Sequence, residues 1–404
     1  MAENSKIEWT HHTFNPWMGC TKVSPACKHC YAERDMDHRY GKVGWGPTGT
    51  RVLTSNANWS KPLKWNMLAQ RRGQSMTYGE AVAVYGKNLP DCEGHEWDNR
   101  TKDENNAWLL QHGVDPFERP RVFCASLADV FEDWTGAISA SNGVQMWKRV
   151  DHGGEWTTSD HYRDTVALTM GDVRQRLFAL IDSTPNLDWL LLTKRPENIK
   201  KMWPAIGFPD SGVPGTLGRH LHLANVWLGT SVENQEYADK RIPELLKCRD
   251  LSPVLFLSCE PLLGPVDLNA DGGWLVPWEK SDGVCGPDAW NEMFVCANNH
   301  SAKRYLKSEK HGRNICLQSR CEATVCPAKP GIDWVIAGGE SGPEARPTDP
   351  EYFRSIRDQC KACSVPFLFK QWGEHDENLQ RVGKSRAGRM LDGVLHDEFP
   401  KVRR

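Results

Sequence analysis

The sequence predicts a mixed α/β fold, a full or partial (β/α) barrel carrying two insertions. Three observations point there. Short apolar runs recur along the chain, helical patterns separate several of them, and almost every run ends in polar groups able to act on a ligand.

The runs are Val122–Ser126, Trp189–Thr193, Val226–Val232, Val254–Ser258, Trp334–Ala337 and Phe367–Lys370. Continuous apolar stretches bounded by turn residues suit parallel strands covered on both faces. Met170–Ile181, Gln235–Leu246 and Pro350–Cys363 carry apolar residues at helical spacing, and Pro185 stops the first of them. Strand–helix–strand repetition implies a parallel sheet with right-handed crossovers. Polar residues follow the runs: Asp129; Lys194 and Arg195; Ser231, Glu233 and Asn234; Glu260; Gly338, Gly339 and Glu340; and Gln371. A barrel active site draws on the ends of many strands, whereas an open doubly wound sheet concentrates its chemistry at one switch point.

Two stretches break the rhythm. Gly73–Glu118 is polar, and Asp271–Pro330 holds five cysteines. Segments this long seldom lack structure inside a compact domain, so both are expected to be insertions with structure of their own. The (β/α) body then covers residues 1–375, interrupted at 73–118 and 271–330, and residues 376–404 form a charged tail expected to pack loosely.

The formal net charge of −2 on 404 residues gives no global field toward nucleic acid or membrane. Met1–Lys6 is short and polar, unlike a signal peptide, and no apolar run approaches the roughly 20 residues of a membrane-spanning helix. A cytosolic protein without a membrane partner is the expectation. Thiols stay reduced there, so 14 cysteines ask for metal or cluster ligation rather than disulfides. The 18 tryptophans are expected in core and rim packing.

The strongest local signal is Gly19–Glu33, where Cys20, Cys27 and Cys30 fall within eleven residues and Gly19 and Pro25 bend the chain. Three thiolates leave one iron of a four-iron cluster open, and an open iron can chelate a small molecule through amine and carboxylate groups. A zinc site with His29 as fourth ligand, or plain buried thiols, are the other readings of the same residues.

Cys27-Lys28-His29-Cys30-Tyr31 resembles the second half of the radical S-adenosylmethionine (SAM) signature, two cysteines with an aromatic residue just before the second. In that superfamily the loop follows the first barrel strand, here Thr13–Met18. The first spacing departs from the usual shorter one, with six residues between Cys20 and Cys27. More closely, the chain resembles a phage-associated family of unknown function known for a three-cysteine motif. The matching segments are Ile7–Thr10, Asn15–Trp17, Gly19–Glu33, Leu191–Glu197, Trp227–Asn234, Cys259–Gly264, Gly338–Pro343 and Phe369–Gly373. The resemblance implies a barrel of radical SAM type, a [4Fe–4S] cluster on Cys20, Cys27 and Cys30, SAM as cofactor and an electron donor. It supplies no substrate.

Other candidates fill out that expectation. Gly338 and Gly339 let backbone approach a nucleoside or anion, and Glu340 and Glu260 are strand-end carboxylates able to move a proton. Lys194 and Arg195 suit a carboxylate or phosphate, while Ser231, Glu233 and Asn234 suit ribose hydroxyls; helix capping is the plainer role for Asn234. Cys316, Cys321 and Cys326, with Cys285, Cys296, His300 and His311 nearby in sequence, suggest a second metal site, with zinc the first choice. The leading expectation is a radical SAM enzyme acting on an unidentified substrate, with nucleotides and nucleic acids as candidates. The alternative is a non-catalytic nucleic-acid-binding or interaction protein stabilised by zinc or an iron–sulfur cluster.

Overall fold

A computed structural model describes residues 5–150, 153, 155–160, 164–206, 219–220, 223–269, 273–275, 305–307, 314–316 and 331–402. The chain divides into two units, Met1–Leu228 and Gly229–Arg404.

In the first unit the parallel strands are His12–Thr13 (β1), Arg121–Cys124 (β2), Asp188–Thr193 (β3) and the start of Val226–Ser231 (β4), hydrogen-bonded in that order. His12 stands opposite Val122, and Phe123 opposite Leu190. In the second unit the end of β4 is followed by Val254–Cys259 (β5), Trp334–Gly338 (β6) and Phe367–Gln371 (β7), again in chain order. Neither unit shows the reversal that defines a doubly wound switch point, so the winding is that of a (β/α) barrel. Every residue of β5 and β6 is buried, as their unbroken apolar runs require.

Three of the connecting helices are the expected ones. Met170–Asp182 (α1) starts at a capping box in which the Thr169 side chain and Asp172 satisfy each other's backbone. Gln235–Leu246 (α2) is capped by Asn234, and Pro350–Ala362 (α3) by Asp349 with Pro350 in the first turn. The apolar face of α3 is Phe353, Ile356 and Cys360. Phe353 meets Phe369 and Trp372 edge-on, with ring centres 5.0 and 5.4 Å apart.

The expected strand Thr13–Met18 is split. His12–Thr13 stays in the parallel sheet, while Trp17–Met18 pairs antiparallel with Arg51–Leu53 in a separate three-stranded sheet. The cause lies between them. Pro16 has no N–H to give a ladder, and the Asn15 side chain binds the Leu127 N–H and the Ser126 hydroxyl instead.

The polar stretch Gly73–Glu118 does have structure of its own. Helices Tyr78–Tyr85, Gly94–Asn99 and Lys102–Gln111 enclose a small core of Ala81, Val84, Tyr85, Trp97 and Leu109. Of the Cys-rich stretch, Tyr305–Lys307 and Asn314–Cys316 form an antiparallel pair. Cys285, Cys296, Cys321, Cys326, His300 and His311 lie outside the described residues.

The charged tail is not loose. The Phe369 N–H donates to the His396 carbonyl at 3.0 Å, and the Trp372 and Trp334 indoles donate to the Met390 and Glu398 carbonyls. Leu391 is fully buried. Charged composition misled the expectation, because the charges are themselves spent on docking: Asp392 pairs with Arg354 and Arg357, and Glu398 accepts from the Phe367 N–H. Among the described residues, no helix is long and apolar enough to cross a membrane.

Candidate functional site

The three-cysteine loop belongs to the first unit. Gly19 enters it at φ +107°, and a Cβ there would stand 2.5 Å from the Thr50 carbonyl oxygen, so only glycine fits. The Gly19 N–H donates to the Leu127 carbonyl, and the Cys20 carbonyl accepts from Gly46. Cys27 closes a short turn over Pro25–Cys27, with its thiol 3.7 Å from the Ser24 hydroxyl. Cys30 precedes the helical turn Tyr31–Glu33, and the Tyr31 hydroxyl ties that turn to the Ser126 carbonyl at 2.8 Å. All three thiols are free and partly exposed.

Arg195, just past β3, reaches back over this loop. Its Nη1 lies 3.8 Å from Cys20 Sγ and 2.9 Å from Asp129 Oδ2, and its Nη2 donates to the Thr21 carbonyl at 2.8 Å. Asp129 is held in turn by the Thr193 hydroxyl and the Lys194 N–H. Beneath them Arg51, fully buried, forks onto Glu132 with two bonds of 2.7 Å and gives a third to the Thr21 hydroxyl at 2.9 Å. The Trp134 ring lies 3.9 Å from the Arg51 guanidinium carbon. A cavity of about 380 Å³ opens here, lined among others by Thr21, Glu132, Trp134 and Arg195.

Burial pushes the Cys20 thiol up to about 12, and Asp129 and Glu132 push the same way while Arg195 pulls it back. The Cys30 thiol is also raised by burial, against the Glu33 and Ala32 amides and the charge of Lys194. Arg195 itself stays firmly protonated, its burial outweighed by Asp129, Cys20 and Glu132. Lys194 and Arg195 were expected to grip a ligand. The structure spends both terminal nitrogens of Arg195 inside the protein, on Asp129, Thr21 and Cys20.

A cluster implied by the family resemblance would need these thiols. The donor chemistry fits it: three free thiols come from one short loop and Arg195 lies beside one of them, although burial holds Cys20 and Cys30 as thiols in the metal-free protein. Among the described residues, however, no three His, Cys, Asp or Glu side chains are grouped so that they could hold a metal ion. Loading would have to draw the thiols inward and release their protons.

The second unit holds the other strand-end residues. Glu233 is fully buried; one carboxylate oxygen accepts from Arg241 at 2.8 Å, and the other has no partner. Arg241 also donates to the Ser231 carbonyl, and Asn234 serves as the helix cap. Glu260, after β5, pairs with Lys370 near the end of β7. Glu340 receives three bonds from Arg346, one of them from its backbone N–H, which occupy both carboxylate oxygens. The Gln371 amide bonds the Ser341 hydroxyl at one end; the other end is buried without a partner. Gly339 is required by packing, since a Cβ there would fall 1.8 Å from the Trp372 carbonyl oxygen. At Gly338 a Cβ would meet only ordinary contacts, with Lys370, Gln371 and Glu260.

Sequence reasoning missed Arg51, Glu132 and Trp134 around the cysteine loop and Arg241, Arg346 and Lys370 as carboxylate partners. Of these only Lys370 lies in a matching segment, Phe369–Gly373, and nothing there marks it as a carboxylate partner. Only Asp129, singled out as a strand-end acid, carried a signal.

These features define a class: a (β/α) protein of sequentially ordered parallel strands, with a three-cysteine loop braced by buried charge. A family model described as a protein of unknown function (DUF5131) matches residues 4–152 and 145–400, and the chain belongs to that family. No curated protein and no solved structure matches it.

Proposed function

We propose that the chain is an iron–sulfur enzyme of the radical SAM type, with Cys20, Cys27 and Cys30 as the ligands of a [4Fe–4S] cluster. The observation that carries the proposal is the Arg195 guanidinium set 3.8 Å from Cys20 in a loop with three free cysteines. A fixed cation beside Cys20 can offset the charge that a metal-bound thiolate would bring into this buried site, a provision inert cysteines would not need. When bound, such a cluster supplies the electron that cleaves SAM to a 5′-deoxyadenosyl radical.

The chain's own residues would do the rest. Arg195 orients Cys20 and offsets its charge. In the second unit, the Glu260–Lys370 pair can hold or pass a proton at a strand end. Glu340 is steadied by Arg346, Ser231 lends its carbonyl to Arg241, and Asn234 and Gly339 shape the backbone. A nucleotide or nucleic acid is the proposed substrate class. Its support is the exposed Tyr40 ring beyond the cysteine loop with Arg39 over it at 5.1 Å and Lys42 at 5.5 Å, a basic aromatic surface suited to a phosphate backbone.

Anaerobic purification with iron and sulfide analysis tests the cluster. Brown protein with roughly four irons on the first motif supports the reading. Colourless protein carrying only zinc rejects it.

A further inference from the structure

The wide gap before Cys27 has a counterpart in how the loop is held. Local turns set Cys27 and Cys30, whereas Thr21–Val23 forms no regular element. The Cys20 limb is tied to the rest of the loop through Lys22, which bonds Glu33 at 2.6 Å and the Lys28 carbonyl at 3.5 Å, and it is also held from elsewhere in the chain. Thr21 is gripped on two sides, its hydroxyl by Arg51 at 2.9 Å and its carbonyl by Arg195 at 2.8 Å. One carboxylate serves both guanidiniums: Glu132 takes the Arg51 fork and lies 3.5 Å from Arg195 Nη2. Trp134 covers Arg51.

Burying such a trio is expensive, and apolar residues of the same volume would stabilise the fold as well or better. Its geometric product is specific. Two rigid donors converge on the residue next to Cys20, while neither Cys27 nor Cys30 is bonded to either arginine in any described contact.

We infer that Arg51, Glu132 and Trp134 are positioning residues that place the Cys20 end of the loop, through Thr21. What Cys20 is placed for rests on the proposed cluster; the placement itself does not.

The test uses metal-free, full-length protein. N-ethylmaleimide labelling of each cysteine and amide hydrogen exchange are followed by mass spectrometry in Thr21→Val, Thr21→Ser, Arg51→Lys and Glu132→Gln. Thr21→Val removes a hydroxyl and no charge, so it stays informative should a charge variant fold poorly. Labelling of Cys20 and exchange at residues 20–23 should rise roughly tenfold to a hundredfold in Thr21→Val and Arg51→Lys. Labelling of Cys27 and Cys30 should rise less, and Thr21→Ser, which keeps the hydroxyl, should restore Cys20. An unchanged Cys20 overturns the inference, and so does a rise shared equally by all three thiols, which means general loosening. Wild-type protein that never takes up iron, yet shows this selective pattern, leaves the clamp standing and removes the cluster.

Discussion

Arg195 Nη1 lies 3.8 Å from Cys20 Sγ, although 174 residues separate them in the chain. The same nitrogen is anchored 2.9 Å from Asp129, so the guanidinium is aimed at the thiol by a carboxylate behind it. Strand end, carboxylate, guanidinium and thiol form one line from the core of the first unit to the cysteine loop.

That line predicts the effect of breaking it. Arg195→Ala leaves Asp129 and Glu132 buried with less counter-charge, and breaking a buried pair costs about 3–5 kcal/mol. Chemical denaturation of the metal-free protein should show that loss. Arg195→Lys should recover part of it, since it restores charge without the fork. A variant as stable as wild type would show that the carboxylates are relieved by other groups.

Each thiol should also be needed for iron. Cys20→Ala, Cys27→Ala and Cys30→Ala should each lose the broad visible absorbance and the iron, because three thiolates are the minimum hold. Full iron retention in all three variants would remove the ligand assignment.

In the second unit, Gly339→Ala sets a methyl group against the Trp372 carbonyl oxygen. Overpacking of this kind costs typically about 1–3 kcal/mol, and here the obstacle is backbone, which yields least. Gly338→Ala, which meets only ordinary contacts, should cost much less. Equal melting temperatures for the two variants would contradict the packing reason given for Gly339.

The tail carries a pH dependence. Burial, aided by Arg357, holds the His396 imidazole below its usual 6.5. The unfolded tail therefore binds a proton more readily than the docked one. Docking is at full strength above about pH 6.5 and weakens as pH falls through and below it. Hydrogen exchange at residues 390–398, corrected for intrinsic rates, should rise on acidification in wild type and much less in His396→Gln. Identical pH profiles would assign the effect elsewhere.

The legible and the hidden parts divide along physical lines. Strands β2 to β7 were readable because each is buried on both faces and so needs an unbroken apolar run, as in Val254–Cys259. Helix Gln235–Leu246 was readable because Asn234 both ends the strand signal and caps the helix. Strand β1, two residues long, offered no run to read. Cysteine spacing exposed the loop, yet the bracing by Arg51 and Glu132 depends on contacts 81 residues apart in sequence, and no local pattern records it. The roles expected of Glu340 and Arg195 came from position alone. Position did not reveal that Arg346 covers one, or that Asp129 and Cys20 engage the other.

The most direct test of the central claim is electron paramagnetic resonance of the anaerobically prepared, dithionite-reduced protein before and after SAM is added, with 5′-deoxyadenosine measured in the same sample. A cluster held by Cys20, Cys27 and Cys30 leaves one iron open to SAM. The account therefore predicts a changed spectrum and formation of 5′-deoxyadenosine, even if slow without substrate. A fully loaded, reducible cluster whose spectrum ignores SAM and that forms no 5′-deoxyadenosine would contradict it.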